Sequence, residues 1–280
     1  MDELEKLKIE NLKLRETISS IDDSARMLVR RDLELHSANE KMKSLDKQKS
    51  EFVSIAAHQL RTPLSGIKWS QQMLLDGDLG ALSSEQRTLL TQAQESVNNL
   101  VRLINDLLYA HHLELGNINS KLQVIDLAKV FTEIISDLGK ITQEKNITVQ
   151  LQVDAQVPQI QTTSDKIKEL FLNLFDNAIK YTNANGKISV SIKNNNGVTV
   201  SIADTGIGIP NTFKKEVFGR FFRAENAKKV IADGTGLGLY ITKKLADAAG
   251  ATISFESTEG VGTTFHVTFP VSQSVVSVTN

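Results

Sequence analysis

A histidine inside a helical stretch is the first pattern with chemical content. The stretch reads Phe52-Val53-Ser54-Ile55-Ala56-Ala57-His58-Gln59-Leu60-Arg61-Thr62-Pro63-Leu64. With Phe52 and Ala56 on a packed seam, His58 projects off it toward solvent, where its imidazole can act as a nucleophile. Pro63 cannot donate to the carbonyl of Gln59 one turn earlier, which predicts a kink just past the histidine. Two glycine-rich stretches come later: Asp204-Thr205-Gly206-Ile207-Gly208-Ile209, and Gly234-Thr235-Gly236-Leu237-Gly238-Leu239 at the start of a helix. Glycines ahead of a helix N-terminus let backbone N–H groups approach phosphate oxygens, and the helix dipole favours negative charge there. Between them in character is a helix at 165–181 that carries Asn173, Asn177 and Lys180, followed by Tyr181. Spacings of four and three put the two amides and the ammonium on one face, where amide oxygens can meet a cation and the ammonium can meet phosphate.

Each pattern taken singly has a plainer explanation. A lone helical histidine is ordinarily a surface residue, and either glycine stretch can be a set of tight turns. Neither stretch is a P-loop, since no Gly-Lys-Ser/Thr follows, and Asp204 to Gly208 opens no obvious Rossmann unit. The two asparagines can be hydrogen-bonding a neighbouring loop. They do ask for a reason, because Asn is a poor helix-interior residue and these stand among Phe171, Leu172, Leu174 and Phe175.

The elements that must position these groups fall into two textures. Residues 1–50 hold no Gly, no Pro and no aromatic, with 11 acidic and 11 basic side chains, a long-helix composition. Apolar residues recur every seventh position at Leu7, Leu14, Ile21, Leu28, Leu35 and Met42, with Leu4, Ile18 and Ala25 three residues earlier. That is a coiled-coil stripe. Its companion column carries Asn11 and then degrades to Asp32 and Asn39; from Ala38 the companions lie three residues after the main column, at Leu45 and Phe52. Such a phase shift reads as a stutter near residues 32–38. The coil is then either a dimerisation rod with a weak patch or a bistable signalling helix with two packings close in energy. The helical pattern runs on from Phe52 to about Leu75 and breaks at Asp76-Gly77-Asp78-Leu79-Gly80. A second helix, capped by Ser83 or Ser84 with Glu85 and Gln86 in its first turn, carries Leu90, Ala93, Val97, Leu100, Ile104 and Leu107 and reaches roughly Leu115. Two helices joined by a short loop form an antiparallel hairpin, and two hairpins make a four-helix bundle. Residues 116–120 read as a linker.

Beyond residue 121 helices and strands alternate, and 11 of the 16 glycines lie at 186 or later. Strands are predicted at 147–153, 187–193, 198–203, 252–256 and 263–269, and helices at about 127–144, 165–181 (capped by Ser164) and 237–249. The expected fold is α plus α/β: a coiled coil leading into an antiparallel helical hairpin, forming a dimeric four-helix bundle, then an α/β sandwich with a mixed sheet. The expected divisions are 1–45 for the coil, 46–116 for the hairpin, 117–272 for the sandwich and 273–280 for a frayed polar tail.

Composition narrows the classes. Of 280 residues, 40% are hydrophobic and 23% charged, enough to bury a core. With 32 basic and 33 acidic side chains the net charge is −1, which removes the electrostatic footprint of a nucleic-acid-coating protein. The absence of cysteine excludes disulfide frameworks, thiolate metal sites and cysteine nucleophiles. No apolar run spans a bilayer and no signal peptide opens the chain. The expectation is a cytoplasmic protein, or the cytoplasmic portion of a membrane-anchored sensor, with no membrane contact of its own. His36, His111, His112 and His266 read as structural, Trp69 as a bundle packing residue, and Arg30 with Arg31 as a solvated face.

Taken together, the motifs resemble those of the sensor histidine kinases of two-component systems. His58 to Leu64 resembles the family's phosphoacceptor box, and Asn173-Leu174-Phe175-Asp176-Asn177-Ala178-Ile179-Lys180-Tyr181-Thr182 its N box. Asp204 to Ile209 resembles the first glycine box, Phe218-Gly219-Arg220-Phe221-Phe222-Arg223 the F box, Gly234 to Leu239 the second glycine box, and Gly260-Val261-Gly262-Thr263 a final glycine turn. The six motifs stand in the family's order across roughly residues 40–270. The resemblance implies a homodimeric dimerisation and histidine-phosphotransfer hairpin followed by an ATP-binding domain of the gyrase and MutL type.

It also implies roles. His58 would be phosphorylated from ATP and pass the phosphoryl group to an aspartate of a response-regulator receiver. Asp204 would hydrogen-bond the adenine amino group, and Asn177 would ligate Mg²⁺. Asn173 stands where the ATPase relatives carry a water-activating Glu, and an amide cannot take that proton. Lys180, Tyr181 and Arg220 would contact phosphate, with Arg223 a further candidate, and Gly206, Gly208, Gly234, Thr235, Gly236, Leu237 and Gly238 would line the nucleotide. A lid would run from about Asn211 to Thr235 and end on the Gly234-Thr235-Gly236 hinge. Thr62 matches a position linked in the family to phosphatase activity toward the receiver. An upstream sensor domain, not contained in this chain, would supply the input. One departure is Gln59, where the family usually carries an acid that polarises the histidine ring; the Gln carbonyl can orient the ring without supplying the charge. Two rival readings therefore stand: an ATP-binding adaptor or phosphatase-biased pseudokinase, and an ATPase of the gyrase/MutL type.

Overall fold

The computed structural model describes residues 3–114, 122–162, 164–195, 197–231, 234–270 and 274–275. The linker expected at 116–120 and the side chains of Leu4, Leu7, Asn11 and Ser164 lie outside the described residues. The chain divides into two units, residues 1–56 and 57–280.

Helix α1 spans Glu3–Asp76. In the first unit its apolar stripe is laid bare: Leu14, Ile18, Ile21, Leu28, Leu35, Met42, Leu45 and Phe52 are between 57% and 73% exposed. Ion pairs at helical spacing, Arg26 to Asp22 and Arg30 to Glu34, run along the surface. Arg30 therefore has a specific partner on the solvated face.

The second unit opens with the helical hairpin. Pro63 lies inside α1, and the helix continues past it to a Schellman ending: Gly77 takes φ +86°, its N–H donates to Leu74 and the N–H of Asp78 donates to Met73. Helix α2, Ser84–Glu114, starts on a capping box in which Ser83 Oγ accepts from the Gln86 N–H and Gln86 Oε1 accepts from the Ser83 N–H. The Glu85 backbone N–H, followed by the Ser83 and Ser84 hydroxyls, holds the Glu85 carboxyl below its usual range. Ala57, Val97 and Ile104 are buried between the helices. Ala57, rather than Ala56, is thus the small residue that lets them approach. The faces bearing Leu100, Leu107, Ile67 and Trp69 stay exposed, with Trp69 67% exposed in the single chain.

The rest of the unit is an α/β sandwich: β1 (Gln123–Ile125), α3 (Leu127–Asp137), α4 (Gly139–Glu144), β2 (Thr148–Val153), β3 (Gln159–Thr162), α5 (Ser164–Tyr181), β4 (Lys187–Asn194), β5 (Gly197–Asp204), α6 (Glu225–Val230), α7 (Gly238–Ala248), β6 (Thr252–Thr258), β7 (Gly262–Pro270) and β8 (Ser274–Val275). The main sheet has the order β2-β4-β5-β7-β6, with β2 and β4 parallel and the other pairs antiparallel. Alternation puts Ile188, Val190 and Ile192 of β4, Val198, Val200 and Ile202 of β5, and Phe265, Val267 and Phe269 of β7 in the core. Phe171 of α5 joins them to α3 through ring contacts with Phe269 at 6.4 Å and Phe131 at 4.8 Å.

Several expectations need correction. The helix expected at 127–144 is two helices meeting at Leu138, just before Gly139, which weakens helical continuity. β1, β3 and α6 are pieces of three to six residues, too short for a resolvable period, and add to the elements expected above. The tail is not frayed throughout, since Ser274–Val275 pair antiparallel with β3 and cover its free edge. His266, read as structural, has its Nδ1 2.8 Å from Ser201 Oγ on the neighbouring strand.

Candidate functional site

Helix α5 sorts its side chains by face. Leu170, Phe171, Leu174, Phe175, Ala178 and Ile179 are buried against the sheet. Asn173, Asn177, Lys180 and Tyr181 turn instead to a cavity of about 480 Å³, a volume suited to a cofactor-sized ligand. Asp176 lines the same cavity and pairs with Lys180. Lys145 closes the end of the helix by donating from Nζ to the carbonyls of Ile179 and Lys180, at 2.9 and 3.2 Å.

One end of the cavity is built around Asp204, the last residue of β5. Its Oδ1 accepts from the N–H groups of Gly206 at 2.8 Å and Thr263 at 3.3 Å. Burial pushes this carboxyl above its ordinary range, against the pull of those two donors. Gly206 has to be glycine, because a Cβ there would sit 2.4 Å from the carbonyl oxygen of Tyr181, which accepts from the Ile207 N–H. The loop therefore lies directly on the end of α5.

The other end is the start of α7. Gly234, Thr235, Gly236, Gly238 and Leu239 line it. Gly236 takes φ +68° and leaves no room for a side chain, since its Cβ would meet the backbone of Phe221 at 2.7 Å. The Leu237 N–H donates to Thr235 Oγ1; Leu237 itself is fully buried and packs into the core rather than lining the cavity. Between the two ends lies the irregular segment from a short 3-10 turn at Asn211–Phe213 to α6. It contributes Phe222, Arg223 and Asn226 to the wall. Asn226 ties it to the glycine loop by donating to the Gly208 carbonyl at 2.9 Å, and Arg223 donates to the Ile231 and Gly234 carbonyls.

The cavity thus gathers Asn173, Asn177, Lys180, Tyr181, Asp204, Gly208, Gly234, Thr235, Gly236 and Gly238. Gly206 stands beside it and shapes the loop. Arg220 is outside: its guanidinium pairs with Glu114 at the end of α2 and lies 5.0 Å above the Tyr240 ring, whose hydroxyl also donates to Glu114. Of the two F-box arginines it is Arg223 that reaches the wall. His58, Gln59 and Thr62 are exposed on α1 and do not line the cavity. Thr62 Oγ1 donates a long 3.4 Å bond back to the His58 carbonyl. Two wall residues carried no sequence signal, Arg102 and Asp106 on α2.

The donor chemistry suits a hard cation held jointly with phosphate. Two amide oxygens on α5 and the nearby Asp176 carboxylate are oxygen ligands, while Lys180 and the α7 N-terminus favour anions. Among the described residues no group of three or more His, Cys, Asp or Glu side chains could hold a metal alone. Nor is any described helix long and apolar enough to cross a membrane.

Residues 48–116 match the His Kinase A (phospho-acceptor) domain, and residues 162–273 match the histidine kinase-, DNA gyrase B-, and HSP90-like ATPase domain. The chain is 29% identical over 252 residues to the cell-division control histidine kinase PdhS of Brucella anthropi, covering 86% of this chain and 24% of that protein. It is 30% identical over 225 residues to the circadian input-output histidine kinase CikA of Synechococcus elongatus, covering 79% of this chain and 30% of that protein. It therefore spans less than a third of the length of these relatives. Among solved structures it is similar to full-length ShkA in complex with AMPPNP, with a TM-score of 0.67 and 27% identity over 81% of this chain and 47% of that one. A phosphoacceptor domain followed in the same chain by an ATPase domain of this type makes the chain a member of the sensor histidine kinase family.

Proposed function

We propose that this chain is the catalytic core of an ATP-dependent protein-histidine kinase. Nε2 of His58 attacks the γ-phosphorus of ATP; the bond from that phosphorus to the bridging oxygen breaks, ADP leaves, and the phosphoryl group stays on the imidazole. A receiver aspartate of a response regulator then takes it. The observation that carries this reading is the convergence of the α5 amides, Lys180, the Asp204 loop and the α7 N-terminus on one cavity, in a chain that presents an exposed histidine in a phosphoacceptor helix.

Within this reading each side chain has a task. The free oxygen of Asp204 accepts from the adenine amino group. Lys180 and Arg223, both on the cavity wall, offset phosphate charge, and Arg220 joins them only on leaving Glu114. Asn173 and Asn177 supply amide oxygens, and Asn177 is the ligand for Mg²⁺. When bound there, the metal would supply positive charge to neutralise the charge developing in transfer. Asn173 cannot act as a general base toward water, which favours transfer over hydrolysis. Gln59 orients the His58 ring, and Thr62 one turn on serves phosphatase activity toward the receiver. Most of the acceleration comes from positioning and charge neutralisation.

The chain works as a homodimer. Support comes from the bare stripe of the first unit and from Leu100 and Leu107 on α2, apolar residues that stay 48% and 38% exposed in the single chain. The input arrives from a sensor region outside this sequence.

The test is incubation with γ-labelled ATP and Mg²⁺, comparing the unaltered chain with His58→Ala. Acid-labile, alkali-stable label that disappears in the variant is the expected result. Release of free phosphate without labelled protein would replace the kinase by an ATPase, and bound ATP with neither product would leave an adaptor.

A further inference from the structure

Helix α2 brings a carboxylate to the end of the cavity where the proposed nucleotide carries its phosphates. Asp106 lines that wall, and its Oδ2 accepts a hydrogen bond from Thr235 Oγ1 at 3.0 Å. Thr235 Oγ1 also accepts from the Leu237 N–H at 3.3 Å, immediately before α7 begins at Gly238. Asp106 is therefore joined, through one hydroxyl, to the segment that presents the positive end of α7 to the cavity. The cations around it are Arg102, one turn earlier on α2, and Lys180 on α5, and both draw its proton off.

This carboxylate is held in place. Three and seven residues further along α2, Tyr109 and Leu113 pack on the ATP domain, with Ala110 and Leu113 buried in its core. Tyr109 faces Glu169 of α5, and Glu114 takes both Arg220 and Tyr240. Burial raises the Asp106 carboxyl above its ordinary range, so the group stands in the wall at some cost.

Resting on the nucleotide reading above, we propose that Asp106 sets the cavity's affinity for the phosphates of its nucleotide. With α2 docked, its carboxylate holds Thr235 and stands beside the α7 N-terminus as an internal anion. A triphosphate brings several negative charges to the same place. It enters as Asp106 gives up Thr235, and Arg102 and Lys180 then face phosphate instead of carboxylate. Docking of α2 and binding of ATP thereby oppose each other, and the opposition is reciprocal: whatever tightens α2 against the ATP domain weakens ATP, and ATP loosens α2. Adenosine, which lacks phosphates, is indifferent to Asp106.

The experiment is calorimetric titration of the full chain and its Asp106→Ala and Asp106→Asn variants with Mg-ATP and, separately, with adenosine. Both variants are expected to bind ATP more tightly, by roughly five- to tenfold, with adenosine affinity unchanged. The asparagine variant keeps the shape and the acceptor, so it isolates charge and decides the matter should the alanine variant lose its fold. Unchanged or weaker ATP binding would overturn the proposal, as would an equal shift for adenosine. Failure of the unaltered chain to bind either ligand would overturn the nucleotide reading itself, and this one with it.

Discussion

Arg61 of α1 donates to Asn105 of α2 across the hairpin at 2.8 Å. Asn105 immediately precedes Asp106 in the cavity wall, and Arg61 lies three residues, about 4.5 Å of helix rise, beyond His58. This contact fixes the register of the hairpin so that the α1 turn from His58 to Arg61 stands at the height of the α2 turn that starts at Asn105 and includes Asp106. Farther from the histidine, Gln94 donates to Gln72 at 2.8 Å and holds the same register. Arg61→Ala should therefore slow autophosphorylation several-fold while leaving ATP affinity as it was. Single-turnover labelling beside ATP titration checks this, and a matching loss of ATP affinity would mean that Arg61 supports the fold of the cavity instead.

Glu114 is shared by the Arg220 guanidinium and the Tyr240 hydroxyl. Tyr240 is buried on α7, so removing the carboxylate leaves its hydroxyl and the cation without their common partner. Glu114→Ala should destabilise the chain by about 1–3 kcal/mol and raise the hydrogen-exchange rates of the α7 amides. Tyr240→Phe deletes a donor and leaves the ion pair, so its cost should be smaller, about 1 kcal/mol. Equal exchange in α7 for Glu114→Ala and the unaltered chain would show that the apolar contacts of Ala110 and Leu113 hold the helices together unaided.

Asp204 predicts a pH dependence with a definite sign. Its carboxyl is raised above the usual 3.8 by burial. Below the usual value the group is protonated whether the chain is folded or not, and it costs nothing. As pH rises through the raised folded value, the unfolded chain releases its proton more readily, and stability is lost. Asp204→Asn keeps the acceptor for Gly206 and Thr263 and removes the charge. It should raise the melting temperature at neutral pH by a few degrees, on the order of 1 kcal/mol, with the gain vanishing under acid conditions below 3.8. In the proposed role of Asp204 the same change would turn a donor toward the adenine amino group, so the stabilised variant should bind ATP poorly. Melting curves across pH, with and without ATP, read both effects.

How much of this was legible depends on the range of the interaction. Asn173, Asn177 and Lys180 declared themselves because helical period separates them from Phe171, Leu174 and Phe175, and α5 keeps that separation in space. The glycine positions were equally local: Gly206 and Gly236 sit where backbone passes within van der Waals distance of backbone. Asp106 and Thr235 are 129 residues apart, and no period or motif around either residue announces their meeting. The two F-box arginines show the same limit. Arg220 and Arg223 lie three residues apart in an irregular segment without a repeating face, so only tertiary packing sends one to Glu114 and the other to the cavity. The short strands β1, β3 and β8 likewise exist because each finds a partner, and their own sequences carry too little pattern to foretell it.

Gln59 follows His58 directly, where the motif resemblance implies an acid, and the difference has a measurable consequence. For Nε2 of His58 to attack phosphorus, the ring proton has to sit on Nδ1, and an acceptor beside Nδ1 favours that tautomer. An amide carbonyl accepts the Nδ1–H, whereas a carboxylate accepts it about twice as strongly and stabilises the positive ring that forms during attack. Gln59 is exposed on α1 and lies away from the cavity, so exchanging it alters neither the core nor the nucleotide wall. Gln59→Glu should lower the barrier to autophosphorylation by about 1 kcal/mol, roughly a fivefold faster single-turnover rate, with ATP affinity unchanged. The gain should shrink as pH falls through the carboxylate range, where the new side chain becomes neutral and again offers only a carbonyl. An unchanged or slower rate at neutral pH would show that the ring is already held in the reactive tautomer, and that the missing charge does not limit this histidine.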